Sequence, residues 1–378
     1  RRVGKSYILR DFLERHKEDM QTNFIYINKE RKKFDAIKNN EQLNAYIDEH
    51  WVEGLHNFIL IDEVQEIESW EKSVRSYRTE EDTDIIITGS NSKMLSSELS
   101  TLIGGRYHEI YVQSLSYQEF LLFHELEDND DALSKYINYG GLPGLKQVGL
   151  DEEEFVWDYI RAVFHTVMLK DIVERNNIRN VSFLNTLLRY FADTIGKLSS
   201  LNNISKFMKS QGLDVSVKSI AAYLNYFRDA YLLLTVDRFD IHGKKLLESN
   251  EKIYFGDVGL RNLIAGGERQ GDIEKILENI VYQQLVRMGY AVSVGQLRVG
   301  EVDFVCTKSN ERLYVQVAYL IASEETEERE FGSLDNIKDN YPKYVISMTP
   351  LVRRSDRQGV VHLGVREFLK NGFEKKLP

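Results

Sequence analysis

The chain opens on RRVGKS, residues 1–6, which fits the last six positions of the phosphate-loop pattern G-x-x-x-x-G-K-[ST]. The first glycine of that pattern belongs two positions before Arg1, so a stretch upstream is expected to be missing. In such a loop the backbone N–H groups of Arg2, Val3 and Gly4, together with the start of a helix, cradle phosphate oxygens. Lys5 then bridges the β- and γ-oxygens, and the Ser6 hydroxyl holds Mg²⁺. A GKS tripeptide alone reads first as a helix start with a capping serine, so the weight rests on residues further along the chain. Four apolar residues, Phe58 to Ile61, precede Asp62 and Glu63. That places two carboxylates at the C-terminal end of a buried strand, where ligands are met in parallel sheets. Asp62 is suited to orient Mg²⁺ through water, and Glu63 to polarise the water that attacks a phosphoryl group. Thr88, Ser90 and Asn91 end the next strand, where a polar side chain can sense the γ-phosphate.

These groups need a scaffold, and the pattern supplies one. Tyr7, Ile8, Phe12 and Leu13 recur at helical spacing after Ser6. NFIYIN (23–28) reads as a strand, Glu41 to His50 as a helix, and NFILIDE (57–63) as a strand apolar on both faces. DIIITGS (84–90) is the next strand, and YHEIYV (107–112) is expected to close the sheet. Alternating strands and helices predict a three-layer α/β sandwich over residues 1–125, with its first strand outside the chain.

The remainder divides in the same way. From Asp151 to Ile195 apolar residues recur every three or four positions, which predicts a helical part over 126–196. Two helices joined at Leu213 to Val215, then β-rich TVDRFDI and KIYFGD around GKK, describe a winged helix over 197–268. A helix, strands at AVSVGQL, EVDFVCT and RLYVQVAYL, a helical stretch and a last strand YVISMT predict a second α/β domain over 269–378. ASEETEERE, with Glu324, Glu325, Glu327, Glu328 and Glu330, is expected to be a solvated helix face.

RRVGKS, ILIDEVQ, IIITGSNS, LIGGRYHEI and LSYQEFL together resemble the bacterial and archaeal AAA-type P-loop ATPases that carry a C-terminal domain of unknown function with a restriction-endonuclease-like fold. The resemblance continues through NYGGLPG (138–144) to the end of the chain. It implies ATP and Mg²⁺ as ligands, and it matches Arg106 to the arginine that closes this family's ATPase core, an arginine finger or sensor. Within the C-terminal domain, Glu278 on a helix, Asp303 in a strand and Gln316 in YVQVAYL follow the order of an endonuclease site, helix Glu, strand Asp, then [D/E/Q]-x-K. Carboxylates so placed bind Mg²⁺ beside a lysine that supports the attacking water. Ala318 stands where that lysine belongs, so the domain is expected to be catalytically inactive, with Lys338 and Lys343 as candidates to compensate.

A net charge of −10 argues against a general polyanion binder. Yet residues 197–246 hold eight Lys and Arg against four Asp, about +4 locally. In a DNA reader the helix from Ser216 would enter the major groove, with Lys244 and Lys245 on phosphates. The aromatics Tyr223, Tyr226 and Phe227 argue instead for packing or a protein partner. The eight histidines show no zinc spacing, and Cys306 reads as a buried apolar residue. No apolar run approaches the ~18 residues of a membrane span, and the cytoplasm is the expected address. The function so read is Mg²⁺-dependent ATP hydrolysis coupled to the inactive endonuclease-like domain, in a protein able to self-associate. Its rival is a nucleotide-gated DNA- or protein-binding module with little turnover.

Overall fold

The computed structural model describes residues 2–90, 105, 107–267, 270–350, 355–357 and 359–373. They form two compact units, Arg1–Gln113 and Ser114–Pro378. In the first unit β1 (Thr22–Asn28), β2 (His56–Asp62) and β3 (Thr83–Ile87) make a parallel sheet in the order β1-β2-β3. Its register sets Ile27 beside Ile61 and Ile61 beside Ile87.

Side chains alternate across a strand, and here the alternation builds the layers. Ile25, Ile27, Ile59 and Ile61 face Leu43 and Ile47 of α2 (Asn40–His50) and Trp70 and Val74 of α3 (Trp70–Tyr77). Each such aliphatic side chain stabilises by roughly 1.5–3 kcal/mol when fully buried. Phe24 and Phe58 point the other way, with ring centroids 5.3 Å apart, and Phe12 of α1 (Lys5–His16) lies 5.3 Å from Phe58. Helices therefore cover both faces, as a sandwich requires.

The strand expected at 107–112 is absent. Residues 107–113 carry no regular secondary structure, and Ile110, which a closing strand would turn inward, is 83% exposed. A strand exists through its ladder to a neighbour, and the sheet of this unit comprises β1, β2 and β3.

The second unit begins with α4 (Tyr117–His124), α5 (Asp130–Tyr139), α6 (Leu145–Val148) and α7 (Glu153–Thr166), which continues as a π-helical segment, Val167–Glu174. After α8 (Val181–Asp193) come a short strand β4 (Leu198–Ser199), α9 (Leu201–Ser210), α10 (Val217–Asp229) and the hairpin β5 (Leu233–Asp240) and β6 (Lys245–Phe255). Helices α11 (Val258–Ala265) and α12 (Ile273–Arg287) follow. Next are β7 (Ala291–Gln296), β8 (Glu301–Lys308), β9 (Glu311–Ala318), α13 (Glu324–Asp335), β10 (Lys343–Ser347), β11 (Ser355–Arg357), β12 (Val360–Gly364) and α14 (Val365–Asn371).

One sheet of nine strands, ordered β11-β12-β10-β9-β8-β7-β5-β6-β4, runs through the unit. The hairpin thus joins the later strands, because Arg238, Phe239 and Asp240 of β5 pair in parallel with Val294, Gly295 and Gln296 of β7. Helix α12 packs Ile276, Leu277 and Ile280 on one side, with Phe304 and Val315 in the same core. Helix α13 packs Phe331 and Leu334 with Val305 and Tyr314. The last strand is β12, beyond the YVISMT segment expected to end the fold.

NYGGLPG has a mechanical role. A side chain at Gly141 would place Cβ 2.3 Å from the Leu115 carbonyl oxygen. One at Gly140, where φ is +73°, would meet Asp257 Oδ1 at 2.3 Å. Asp257 caps α11 by accepting from the amides of Gly259 and Leu260, and its other oxygen accepts from the Gly141 amide at 3.0 Å. No helix among the described residues is long and apolar enough to cross a membrane.

Candidate functional site

Gly4 adopts the left-handed conformation, φ 96° and ψ 7°, at the cap of α1. That backbone favours glycine over any residue with a Cβ. The amides of Tyr7 and Ile8 turn back onto the Gly4 carbonyl, so Lys5 and Ser6 form the first turn of the helix. No side chain caps that end and no acidic residue stands in its first turn, which leaves the positive pole of the helix open to an anion. Arg2 is exposed, and Val3, Lys5 and Ser6 are half-buried.

Asp62 ends β2 on the same face as Phe58, two pairs of positions earlier, and Phe58 lies under Phe12. The carboxylate thus projects on the side of the sheet that α1 covers. It is fully buried and held at both oxygens: Asn28 Nδ2 donates to Oδ2 at 2.9 Å, and Thr88 Oγ1 donates to Oδ1 at 2.6 Å. Glu63 follows in a left-handed turn, φ 57°, with its amide donating to Thr88 Oγ1 at 3.2 Å. The Glu63 carboxylate accepts from Ser90 Oγ at 3.0 Å and from the Gln65 side-chain amide. Asp62, Glu63, Thr88 and Ser90 are therefore one network, and Asn28 and Gln65 are members that sequence reasoning missed. The register of β1 against β2, which sets Asn28 opposite Asp62, is the signal that finds Asn28. Asn91 and Arg106 lie outside the described residues. Among the described residues no group of three or more Asp, Glu, His or Cys can hold a metal unaided. Mg²⁺ commonly takes one or two protein oxygens and completes its shell with phosphate and water, so a cluster of three acidic ligands is not required of such a site.

The second unit gathers the other candidates differently. Glu278 on α12 and Asp303 on β8 meet through Lys252 of β6, whose Nζ lies 2.7 Å from Glu278 Oε1 and 3.2 Å from Asp303 Oδ1. Asp303 sits in a bulge of β8, where Val302 to Val305 opposes only Gly295 to Ser293 of β7. A bulge of this kind re-aims the side chains it carries. Gln316 accepts from the Asp303 amide at 3.2 Å and donates to Glu330 at 3.0 Å. Glu330 is buried and paired with Arg329, so the expected solvated face of α13 is interrupted there. Lys338 and Lys343 are engaged elsewhere, on the carbonyls of Asp335 and Asp339.

Burial, then the neighbouring Asp303 charge, pushes the Glu278 carboxyl up to about 7. Burial pulls Lys252 down, but Asp303, Glu278 and Glu301 outweigh it and raise the ammonium above its ordinary range. Tyr254, which donates to Glu278, is raised by burial and by that carboxylate. Cys306 is buried, and burial pushes its thiol up, away from nucleophilic use.

Residues 1–121 match the family model of an AAA domain, and residues 130–270 match a domain of unknown function, DUF8612. An uncharacterized protein of Haemophilus influenzae is 36% identical over 355 residues, covering 92% of this chain and 87% of that protein. An uncharacterized protein of Methanocaldococcus jannaschii is 30% identical over 359 residues, covering 90% of this chain and 77% of that one. Among solved structures, a Walker-type ATPase of Pyrococcus abyssi shares the fold with a TM-score of 0.50 at 15% identity, over 70% of this chain and 88% of that chain.

Proposed function

The chain belongs to one family with the Haemophilus influenzae and Methanocaldococcus jannaschii proteins and begins with an AAA domain, and on that premise we propose that its first unit is a Mg²⁺-dependent ATPase. The observation that carries this reading is the hydrogen-bonded Asp62–Glu63 pair at the end of β2, on the side of the sheet covered by α1. The amides of Arg2, Val3 and Gly4 and the Lys5 ammonium take the phosphates. Ser6 and Asp62 hold Mg²⁺, which when bound neutralises charge on the phosphate oxygens. Glu63 accepts the proton of the attacking water, while Ser90 fixes the Glu63 carboxylate that does so. Asn91 and Arg106 complete the γ-phosphate contacts in this proposal.

Steady-state phosphate release checks it. Lys5→Ala should abolish turnover, and Glu63→Gln should lower it by roughly 10²–10⁴, the range of a general base. Release that both variants leave unchanged would sink the assignment. Nucleotide binding without release in the unaltered protein would favour the gated binding module.

For the second unit the order α9, α10, β5, β6 supports a winged helix, and the exposed Lys218, Lys244 and Lys245 support a nucleic-acid or acidic protein partner. An endonuclease-like fold for the last part is supported by Glu278 and Asp303 meeting on adjoining elements. ATP turnover would drive rearrangement of these parts, and self-association would complete the nucleotide site.

A further inference from the structure

Three carboxylates of the second unit converge on a single point. Glu278, Glu301 and Asp303 come from α12 and β8, and the point they surround is filled by Lys252 Nζ, at 2.7, 2.9 and 3.2 Å. The Lys252 side chain is 2% exposed, and of the three acids only Glu301 reaches solvent appreciably, at 36%. Buried carboxylates need a cation. A divalent metal is one solution, with oxygens at about 2.0–2.6 Å for Mg²⁺ or Ca²⁺. The separations here are those of ion pairs with an ammonium instead, Glu278 and Asp303 accepting its N–H groups and Glu301 lying 2.9 Å away.

The rest of the centre is arranged around that ammonium. Tyr254, two residues along β6 and on the same face as Lys252, donates its hydroxyl to Glu278. The Val317 amide donates to Asp303 Oδ2 at 2.9 Å. Ala318 of β9 is 1% exposed and brings no cation of its own.

We propose that Lys252 is the resident cation of this centre: it occupies the place of a divalent metal, closes the second unit to Mg²⁺ and Mn²⁺, and clamps β6 to α12 and β8. Its removal converts the cage into a divalent-cation site.

The test uses the full chain without nucleotide and Mn²⁺ as probe, followed by paramagnetic resonance and thermal unfolding. Mn²⁺ uptake by the unaltered protein should be the same with and without Asp303→Asn. Lys252→Ala should gain about one Mn²⁺ equivalent, and adding Asp303→Asn should remove it again. If Lys252→Ala does not fold alone, Mn²⁺ should restore its unfolding transition, because a ligand bound only by the folded state stabilises that state. Two results overturn the proposal. One is a Mn²⁺ site in the unaltered protein that Asp303→Asn abolishes. The other is a Lys252→Ala protein to which Mn²⁺ neither binds anew nor restores folding.

Discussion

Asn28 and Asp62 face each other across neighbouring parallel strands, and the Asn28 amide donates to the Asp62 carboxylate at 2.9 Å. Both residues are 1% exposed or less, so this hydrogen bond is made away from bulk solvent. Asn28→Ala should cost about 1–3 kcal/mol, the price of a buried acceptor left without its donor. A lower urea midpoint for the first transition would register it, and an unchanged midpoint would contradict the pairing.

Thr88 is the hinge of the same network, since its hydroxyl donates to Asp62 and accepts from the Glu63 amide. Thr88→Val keeps the shape and removes both bonds. Turnover should drop by roughly 10–100-fold, as it does when partners that orient a ligand-holding group are lost. Thr88→Ser should recover most of it. The comparison of kcat and KM is informative, because a purely structural role would lower active protein without changing either constant.

Gly141→Ala should destabilise the second unit by about 3 kcal/mol or more, because its Cβ would sit 2.3 Å from backbone oxygen that cannot swing away. Asp257→Asn, which keeps the size but changes the acceptors of three amides, should be milder. Denaturant unfolding followed by circular dichroism ranks the two variants, and the reverse order would count against the role given to NYGGLPG.

His124 supplies a pH dependence with a definite sign. Burial, and then the charge of Lys146, pulls its imidazole down to about 4, and its Nε2 is buried without a hydrogen-bond partner among the described residues. The folded state therefore favours the neutral ring. Its contribution is present above the ordinary histidine pKa of about 6.5 and is lost as pH falls from there toward 4, on the order of 2 kcal/mol. His124→Gln should flatten that part of a melting-temperature profile, and an unchanged slope would remove His124 as its source.

If Lys218, Lys244 and Lys245 meet nucleic-acid phosphates, affinity for duplex DNA should fall steeply with salt. Each lysine replaced by alanine should reduce the slope of log K against log salt by about 0.9. Binding indifferent to salt, or slopes that all three variants preserve, would leave the aromatic face of α10 to a protein partner.

Much of the first unit was legible in the chain. Ile25 and Ile27, then Ile59 and Ile61, alternate as strand residues must when one face is buried, and Gly4 to Ser6 and Asp62 to Glu63 announce a loop-helix start and a strand end. Local periodicity carries this information because it records which face of an element avoids water. The strand expected at 107–112 failed for the complementary reason: apolar alternation marks a segment able to pair but does not provide a neighbour.

Charge partners across the fold were not legible. Glu330 stands in a run of acids that looks solvated, and only α13 packing beside Gln316 shows it buried. Lys252 lies 26 positions from Glu278 and 51 from Asp303, on a strand that reads as part of a hairpin with no chemistry. Residue pattern alone was enough for the helices and most strands. That another lysine fills the carboxylate centre emerged only from the assembled sheet. Periodicity describes each element against solvent, whereas an ion pair depends on which elements the sheet order brings together.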